Sequence, residues 1–418
     1  MGLGHIVYGV IVRSFSAEGL LGVERKIPYL KSLGITTIWL SPIFEHPARD
    51  FGYAMTDYTR IDPENGSEDD LKRLVEAAHG AGLRILLDFA PNHTSDRHRF
   101  YRDVEAHGDS SPYADYYARD LRGGYTHYFH WTNLINLNYD NQAVQQMTLE
   151  AMQYWVSECD IDGYRMDAAW GIRLRSPTFW PDCLEALKRV KPDLFLLAEA
   201  SALDPFYARA GFDSAYDWTH NLGTWAWGQA FADSTHTSTD LRFHLNRSAG
   251  RGDVFRFLNN NDTGPRFITC HGTGLTKLAT AFLLTLPGTP CLFMGDEVGL
   301  EFTPYRQRTP VTWPVNADLM QFHRRLIALR KEHLGPGPLT VVNNDQPDCL
   351  SYSQPGVDGL PVVSLFNFGP AAQVGVDVGS GNTCEAIDLW SGHRATVDDG
   401  KISLGLARNE FSILQLAG

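Results

Sequence analysis

The 418-residue sequence predicts an α/β fold, a closed (β/α)8 TIM barrel with two additions, on three observations. Short apolar runs alternate with helical stretches from Ile6 to Glu332, the rhythm of strand–helix units in a right-handed parallel sheet. From His93 to Asp140 that rhythm gives way to a long, aromatic, irregular stretch, which inside a compact domain is usually functional or a small subdomain. After Gly335 the helices stop, and short β-rich runs alternate with Gly, Asn and Asp turns. The chain therefore divides into a first barrel part (1–92), a short loop-rich excursion after the third strand (93–140), a second barrel part (141–335) and a C-terminal antiparallel β domain (336–418).

Taken in order, Ile6 to Val12 reads as the first strand and Leu20 to Leu33 as a helix. Thr36 to Leu40 is a strand, and Glu68 to Gly80 a helix with Ser67 as its N-cap. Leu83 to Phe89 is nearly all apolar, as in strands buried on both faces. The helix Ala143 to Glu158 precedes the strand Ile161 to Met166. The helix Thr178 to Val190 precedes the strand Leu194 to Ala198. Phe212 to Ala215 and Val254 to Leu258 are weaker strands. Leu275 to Leu286 is helical, Cys291 to Met294 a strand, and Asp318 to Glu332 an amphipathic helix.

Composition bounds the function. An apolar fraction of 43% and a charged fraction of 20% are ordinary for a globular chain. A net charge of −13 without a basic cluster argues against nucleic acid and anionic membranes as partners. No apolar stretch reaches the length of a membrane span, and the start of the chain has no charged-then-apolar leader. A cytoplasmic protein is expected, or an exported one whose leader has been removed. The six cysteines show no CxxC and no metal-ligand spacing, so free thiols are expected. Oligomeric state is not legible.

Polar residues recur where apolar strands end. Asp88 closes the third strand, with Asn92 and His93 beyond it. Arg165 and Asp167 close the fourth, Glu199 the fifth, and Asn261 and Asp262 follow the seventh. In a closed parallel barrel these ends share one rim, where active sites are built. Arg165 and Asp167, two residues apart on a strand, point to one side. A guanidinium beside Asp167 keeps it an anion, as a carboxylate nucleophile requires; taken alone, the pair also reads as a structural salt bridge. Glu199 follows an apolar run between alanines, where desolvation raises its pKa. One ionised carboxylate and one protonated carboxyl are what glycoside hydrolysis needs. His93 has no second histidine at ligand spacing, so metal ligation is the weaker reading of it.

These motifs resemble the α-amylase superfamily, glycoside hydrolase family 13, over nearly the whole chain. Asp88 to His93 (Asp-Phe-Ala-Pro-Asn-His) is similar to the family's first conserved region. Gly163 to Ala168 (Gly-Tyr-Arg-Met-Asp-Ala) is similar to the second, Leu197 to Ala200 (Leu-Ala-Glu-Ala) to the third, and Phe257 to Asp262 (Phe-Leu-Asn-Asn-Asn-Asp) to the fourth. The resemblance implies a retaining α-glycosidase acting on malto-oligosaccharides or related short α-glucans. It implies Asp167 as nucleophile, Glu199 as acid/base and Asp262 as transition-state stabiliser. It also implies that Arg165 orients Asp167, that His93 contacts the same sugar, and that Tyr53 stacks beneath it. Retention implies carboxyl groups roughly 5–5.5 Å apart. A transglycosidase using the same intermediate stays open, as does a non-catalytic carbohydrate-binding barrel.

The sequence departs from the family's pattern in four places. Asn261 stands where the family usually has His; it can donate to a hydroxyl but cannot be cationic. Trp170-Gly171 stands where Lys-His helps starch amylases hold the leaving-side glucan, and Trp170 offers a stacking surface instead. Ala54 replaces an Asp often found after Gly-Tyr. The Asp-rich calcium loop is missing from Ser14 to Leu21, so no cofactor is expected; calcium is allowed for but not required. Arg308 to Trp313 is similar to a segment of the oligosaccharide-acting branch, or else is a packing loop. The substrate-binding set expected is Tyr53, His93, Arg165, Trp170 and Asn261.

Overall fold

The structure, a computed structural model, describes residues 5–48, 50–232, 236–248, 252–307, 309–378 and 384–416. Eight parallel strands close a barrel: β1 (Val7–Val10), β2 (Thr37–Leu40), β3 (Arg84–Phe89), β4 (Gly163–Met166), β5 (Phe195–Ser201), β6 (Ser214–Tyr216), β7 (Val254–Phe257) and β8 (Thr289–Phe293). Each strand lies beside its neighbour in the sequence, and β1 pairs with β8 through Val7 opposite Cys291. The (β/α)8 architecture is therefore as the strand–helix rhythm predicts.

The barrel's interior is packed. Val7, Trp39, Leu86, Phe195, Leu197, Tyr216, Phe255, Phe257 and Cys291 form one buried cluster inside it, the filled centre usual for barrels of this size. The opposite strand faces pack against the helices in a second, larger cluster. β4 begins with a glycine for a steric reason: Gly163 has φ +151°, and a Cβ there would lie 1.9 Å from the Phe195 carbonyl oxygen. Its φ and that approach set how β4 meets β5.

Several elements differ in extent from the sequence reading. The first strand stops at Val10, and Val12–Phe15 turns into a short helix. Leu20 to Leu33 is two helices, Leu20–Arg25 and Ile27–Leu33, with Pro28 in the first turn of the second; proline cannot continue a helix from the N-terminal side but suits a new start. The helix expected at Leu275 runs Phe267–Thr285, with a kink at Gly272, whose φ of 73° is non-helical. The excursion is more ordered than a loop. His93–Ser95 pairs antiparallel with Trp131–Asn136, which also pairs with His127–Tyr128, and Arg99–His107 is helical.

Beyond the helix Ala317–His333, an antiparallel six-stranded sheet and a two-stranded sheet, Ala372–Asp377 with Lys401–Leu406, enclose their own core. The sheet docks on the barrel through the helix Phe267–Thr285. Phe282 meets Phe366 edge-on at 5.4 Å, and Gln354 Nε2 donates to the Thr285 carbonyl at 2.6 Å. Cys159, Cys183, Cys270, Cys291 and Cys349 are free thiols; the side chain of Cys384 lies outside the described residues. No described helix is long and apolar enough to cross a membrane.

Candidate active site

The C-terminal ends of β3, β4 and β5 converge on Arg165, whose side chain has no exposed surface. Its Nη1 donates to Asp88 Oδ1 at 2.8 Å and to Asp167 Oδ1 at 2.7 Å. Its Nη2 lies 3.0 Å from Glu199 Oε1, an ion pair without hydrogen-bond alignment, and 3.9 Å from Asp262 Oδ2. Its Nε donates to Tyr216 Oη at 3.1 Å. The guanidinium also rests over the rings of Tyr216 and Trp39, at 5.5 and 5.6 Å, a favourable place for a desolvated cation.

One cation among four carboxylates cannot neutralise them all, and burial works against the charged form of Glu199, Asp88 and Asp262. Burial pushes the Glu199 carboxyl well above the usual range, against the pull of Arg165, and the charge of Asp167 adds to the rise. Burial likewise lifts Asp88 to about 7, again against Arg165. Asp88 is fully enclosed, and its Oδ2 accepts from Tyr53 Oη at 3.0 Å and Trp39 Nε1 at 3.3 Å. Burial raises the Asp262 carboxyl as well, although 48% of its side-chain surface is open to the cleft.

The turn after Asp167 is strained and serves Glu199. Ala168 is left-handed (φ 47°), a conformation disfavoured for a residue with a Cβ. That turn aims its N–H at Glu199 Oε2, 2.6 Å away, and starts the helix Ala169–Arg175. Asp167's own N–H is held by the Phe89 carbonyl at 2.8 Å.

Asp167, Glu199 and Asp262 line one cavity of 250 Å³, together with Tyr53 and His93. Its other walls are Asp50, Phe51, Tyr128, Trp131, Asn133, Leu134 and Tyr305. Five of the eight expected site residues thus meet in one cleft. Arg165 lies beneath it, out of reach of a ligand, and acts through the carboxylates it holds. Asn261 lies behind the wall: its Nδ2 is 2.9 Å from Tyr53 Oη, 2.5 Å from Tyr305 Oη and 3.2 Å from Asp262 Oδ2. It ties three cleft residues together, while its buried Oδ1 has no partner. Trp170 sits at the rim, 5.9 Å from Tyr128 and 5.4 Å from Phe129.

His93 is buried and already engaged. Asn92 Nδ2 donates to its Nδ1 at 3.1 Å, which leaves the Nε2 hydrogen for the Tyr53 carbonyl at 3.2 Å. Burial lowers its pKa, which favours the neutral ring. Among the described residues, no group of three or more His, Cys, Asp or Glu side chains could hold a metal ion.

No motif singles out Tyr128, Trp131 and Tyr305. The first two belong to the aromatic excursion, whose ring density is the one signal available; Tyr305 has no motif and is placed by a left-handed backbone (φ 63°). Arg308 lies outside the described residues. The segment after it packs on the first loop, where the Val311 N–H meets the Ser14 carbonyl at 2.8 Å and Trp313 meets Phe15 edge-on at 5.0 Å.

Comparison with known proteins identifies the family. The model of the α-amylase catalytic domain matches residues 16–321. A maltogenic α-amylase of Bacillus acidopullulyticus is 28% identical over 97% of this chain and 72% of its own length. An intracellular maltogenic amylase of Bacillus subtilis is 30% identical over 87% of this chain, and a cyclomaltodextrinase of Geobacillus thermopakistaniensis 31% identical over 84%. This chain spans 64% and 62% of those two, less than two thirds of their length. In fold, a maltogenic α-amylase from Thermotoga neapolitana superposes with a TM-score of 0.83 at 23% identity, covering 100% of this chain and 99% of its own. The match over most of the barrel, with the strand-end carboxyl groups in place, makes this chain a member of the α-amylase family of glycoside hydrolases.

Proposed function

We propose that the protein is a retaining α-glycosidase that cleaves α-glucosidic bonds in malto-oligosaccharides or related short α-glucans. The observation that carries this reading is the single guanidinium of Arg165 bridging Asp167 and Glu199, at 2.7 and 3.0 Å, with Glu199 pushed toward its protonated form. That is the division of labour between an ionised nucleophile and a general acid.

In the first step Asp167 attacks the anomeric carbon while Glu199 gives its proton to the departing glycosidic oxygen. In the second, Glu199, now a carboxylate, takes a proton from the incoming hydroxyl, which displaces Asp167 and regenerates both groups. Asp262, open to the cleft, accepts hydroxyls of the distorted ring and, with Asp167, faces the positive charge developing there. Tyr53, held by Asp88 and Asn261, forms the wall beside that ring. The chemistry is supplied by this chain's own side chains, without a cofactor. The relatives named maltogenic amylase and cyclomaltodextrinase support short α-glucans as substrates.

Asp167→Asn is expected to lower turnover of maltotriose by at least about 10³-fold. A 5-fluoroglycosyl fluoride should label the wild type on the peptide bearing Asp167, read by mass spectrometry. A label on another residue, or a first product of inverted anomeric configuration by NMR, would sink the reading.

A further inference from the structure

One short helix outside the cleft touches both loops that form its Tyr53 wall. Val12–Phe15 follows β1, and neither Arg13 nor Ser14 lines the cavity that holds Asp167 and Glu199. Both residues bond away from their own helix. Ser14 Oγ donates to the Gln307 carbonyl at 2.9 Å, and the Ser14 carbonyl accepts from the Val311 N–H at 2.8 Å. Arg13 Nη1 donates to the Asp50 carbonyl at 2.8 Å, and its Nη2 lies 2.8 Å from His46 Nε2. The same Nη2 lies 3.0 Å from Glu64 Oε2, but that side chain is 70% exposed, so the ion pair contributes little.

His46 fixes the other end of Arg13. Its side chain is 2% exposed. Its Nδ1 lies 2.7 Å from the Phe44 carbonyl, which can only accept, and 3.3 Å from Asp62 Oδ2. The ring hydrogen is therefore assigned to Nδ1. Nε2 is left as an acceptor, and the guanidinium, which has only donors, supplies the hydrogen.

From Arg13 the contacts lead into the cleft. Asp50 Oδ1 accepts the N–H groups of Gly52 at 2.8 Å and Ala54 at 3.0 Å, one on each side of Tyr53. Asp50, Phe51 and Tyr53 all line the cavity, as does Tyr305, two residues before Gln307. Tyr305 meets Phe51 edge-on at 5.0 Å and Tyr53 at 6.2 Å, and its Oη donates to Asp262 Oδ1 at 3.3 Å. Residues 50–56 and 301–307 contain neither helix nor strand. Their position depends on such side-chain contacts, because no sheet ladder holds them. A loop that must be placed precisely needs a partner on the rigid scaffold.

Resting on the glycosidase reading above, we propose that Arg13, Ser14 and His46 are positioning residues. They form a clamp outside the cavity that sets Phe51, Tyr53 and Tyr305 against the sugar ring attacked by Asp167. Through Tyr305 the clamp also reaches Asp262, so it bears on the transition state as well as on the wall.

The test uses the full chain as wild type, Arg13→Ala, Ser14→Ala, His46→Asn and His46→Gln. Glutamine is long enough to offer Arg13 an oxygen; asparagine keeps a donor near Phe44 but stops short of Arg13. Turnover of maltotriose and of α-glucosyl fluoride is measured with inhibition by 1-deoxynojirimycin, a cationic mimic of the attacked ring, and with the urea midpoint. That ring is the same in both substrates, so both should lose equally. For Arg13→Ala, kcat/KM should fall about 10²-fold on each, and inhibition should weaken at least about tenfold. His46→Asn should lose about tenfold, Ser14→Ala about fivefold, and His46→Gln should stay within about threefold of the wild type. If Arg13→Ala does not fold, Ser14→Ala and His46→Asn carry the test. A lowered urea midpoint with unchanged kcat/KM and inhibition would show a merely structural contact and overturn the clamp. Equal losses in His46→Asn and His46→Gln, or a loss confined to maltotriose, would overturn it too, leaving the glycosidase reading intact. A wild type that turns over neither substrate would overturn both.

Discussion

The floor of the cleft and its mouth are built on opposite plans. On the floor, Asp88, Arg165, Asp167 and Glu199 are all buried, and each is held by strand ends and by several polar partners. At the mouth, Phe129 on a two-residue turn and Trp131 at the start of the next strand are exposed and held mainly by other rings. The floor fixes charge, which demands enclosure and hydrogen bonds because an unpaired buried charge is costly. The mouth offers apolar area, which needs access and tolerates a loop. The contrast teaches that the closed barrel holds the charged groups and the insertion to it holds the exposed apolar rings.

The strongest way to break that contrast is Arg165→Met. Three buried carboxyl groups would lose their shared cation, a change that costs roughly 3–5 kcal/mol when one partner of a buried ion network is removed. Urea unfolding at neutral pH should show a loss of that size together with loss of activity, and the deficit should shrink in acid as the carboxylates protonate. Arg165→Lys should rescue little, because an ammonium cannot span the three groups. A stable, active Arg165→Met protein would mean the floor is not organised by charge at all.

A second buried carboxyl sharpens what distinguishes the floor. Glu297 is fully enclosed, and it accepts hydroxyls from Tyr8 at 3.0 Å and Tyr29 at 2.5 Å; no cation among the described residues forms an ion pair with it. Burial lifts its pKa to about 7. Its pKa is raised like that of Glu199, but it does not line the cleft that Glu199 lines, so a raised pKa alone does not mark a catalytic group. Its effect is on stability. The folded state holds the proton more tightly than the unfolded chain, so its contribution is full below the unfolded pKa near 4.5 and is lost as pH rises through about 7. Glu297→Gln should remove that slope, and its stability relative to the wild type should improve on the order of 3 kcal/mol from pH 4.5 to 7. Parallel stability–pH curves for the two proteins would show that Glu297 is not the group titrating.

How far the sequence carries follows the same division. Asp167, Glu199 and Asp262 were legible because each follows an apolar strand, and strand order puts such ends on one rim. The sharing of Arg165 among three carboxylates was not, because Asp88 comes from a strand 77 residues earlier and only the closed barrel brings it near. Asn261 was read as a sugar contact; the structure places it behind Tyr53 and Tyr305, a matter of side-chain direction that no spacing reveals. Tyr128 and Trp131 escaped because one strand has only two residues and the other, Trp131–Asn136, lacks the alternation that identifies a half-buried sheet. Helix boundaries failed where backbone exceptions decide them, at Pro28 and at the Gly272 kink.

The smallest expected effect is the most discriminating one. In Phe129→Gly the left-handed backbone no longer carries a Cβ, which relieves roughly 1–2 kcal/mol. Glycine gives back about 0.5–1 kcal/mol in chain entropy, and some ring contact with Tyr128 and Trp170 is lost. The net is a gain of at most about 1 kcal/mol by denaturant unfolding, the opposite sign from any change on the floor. A variant destabilised by more than about 1 kcal/mol would show that Phe129 holds the excursion together, and the mouth would then belong to the structural frame. A variant that is more stable and slower on maltotriose would show strain retained at the mouth for function.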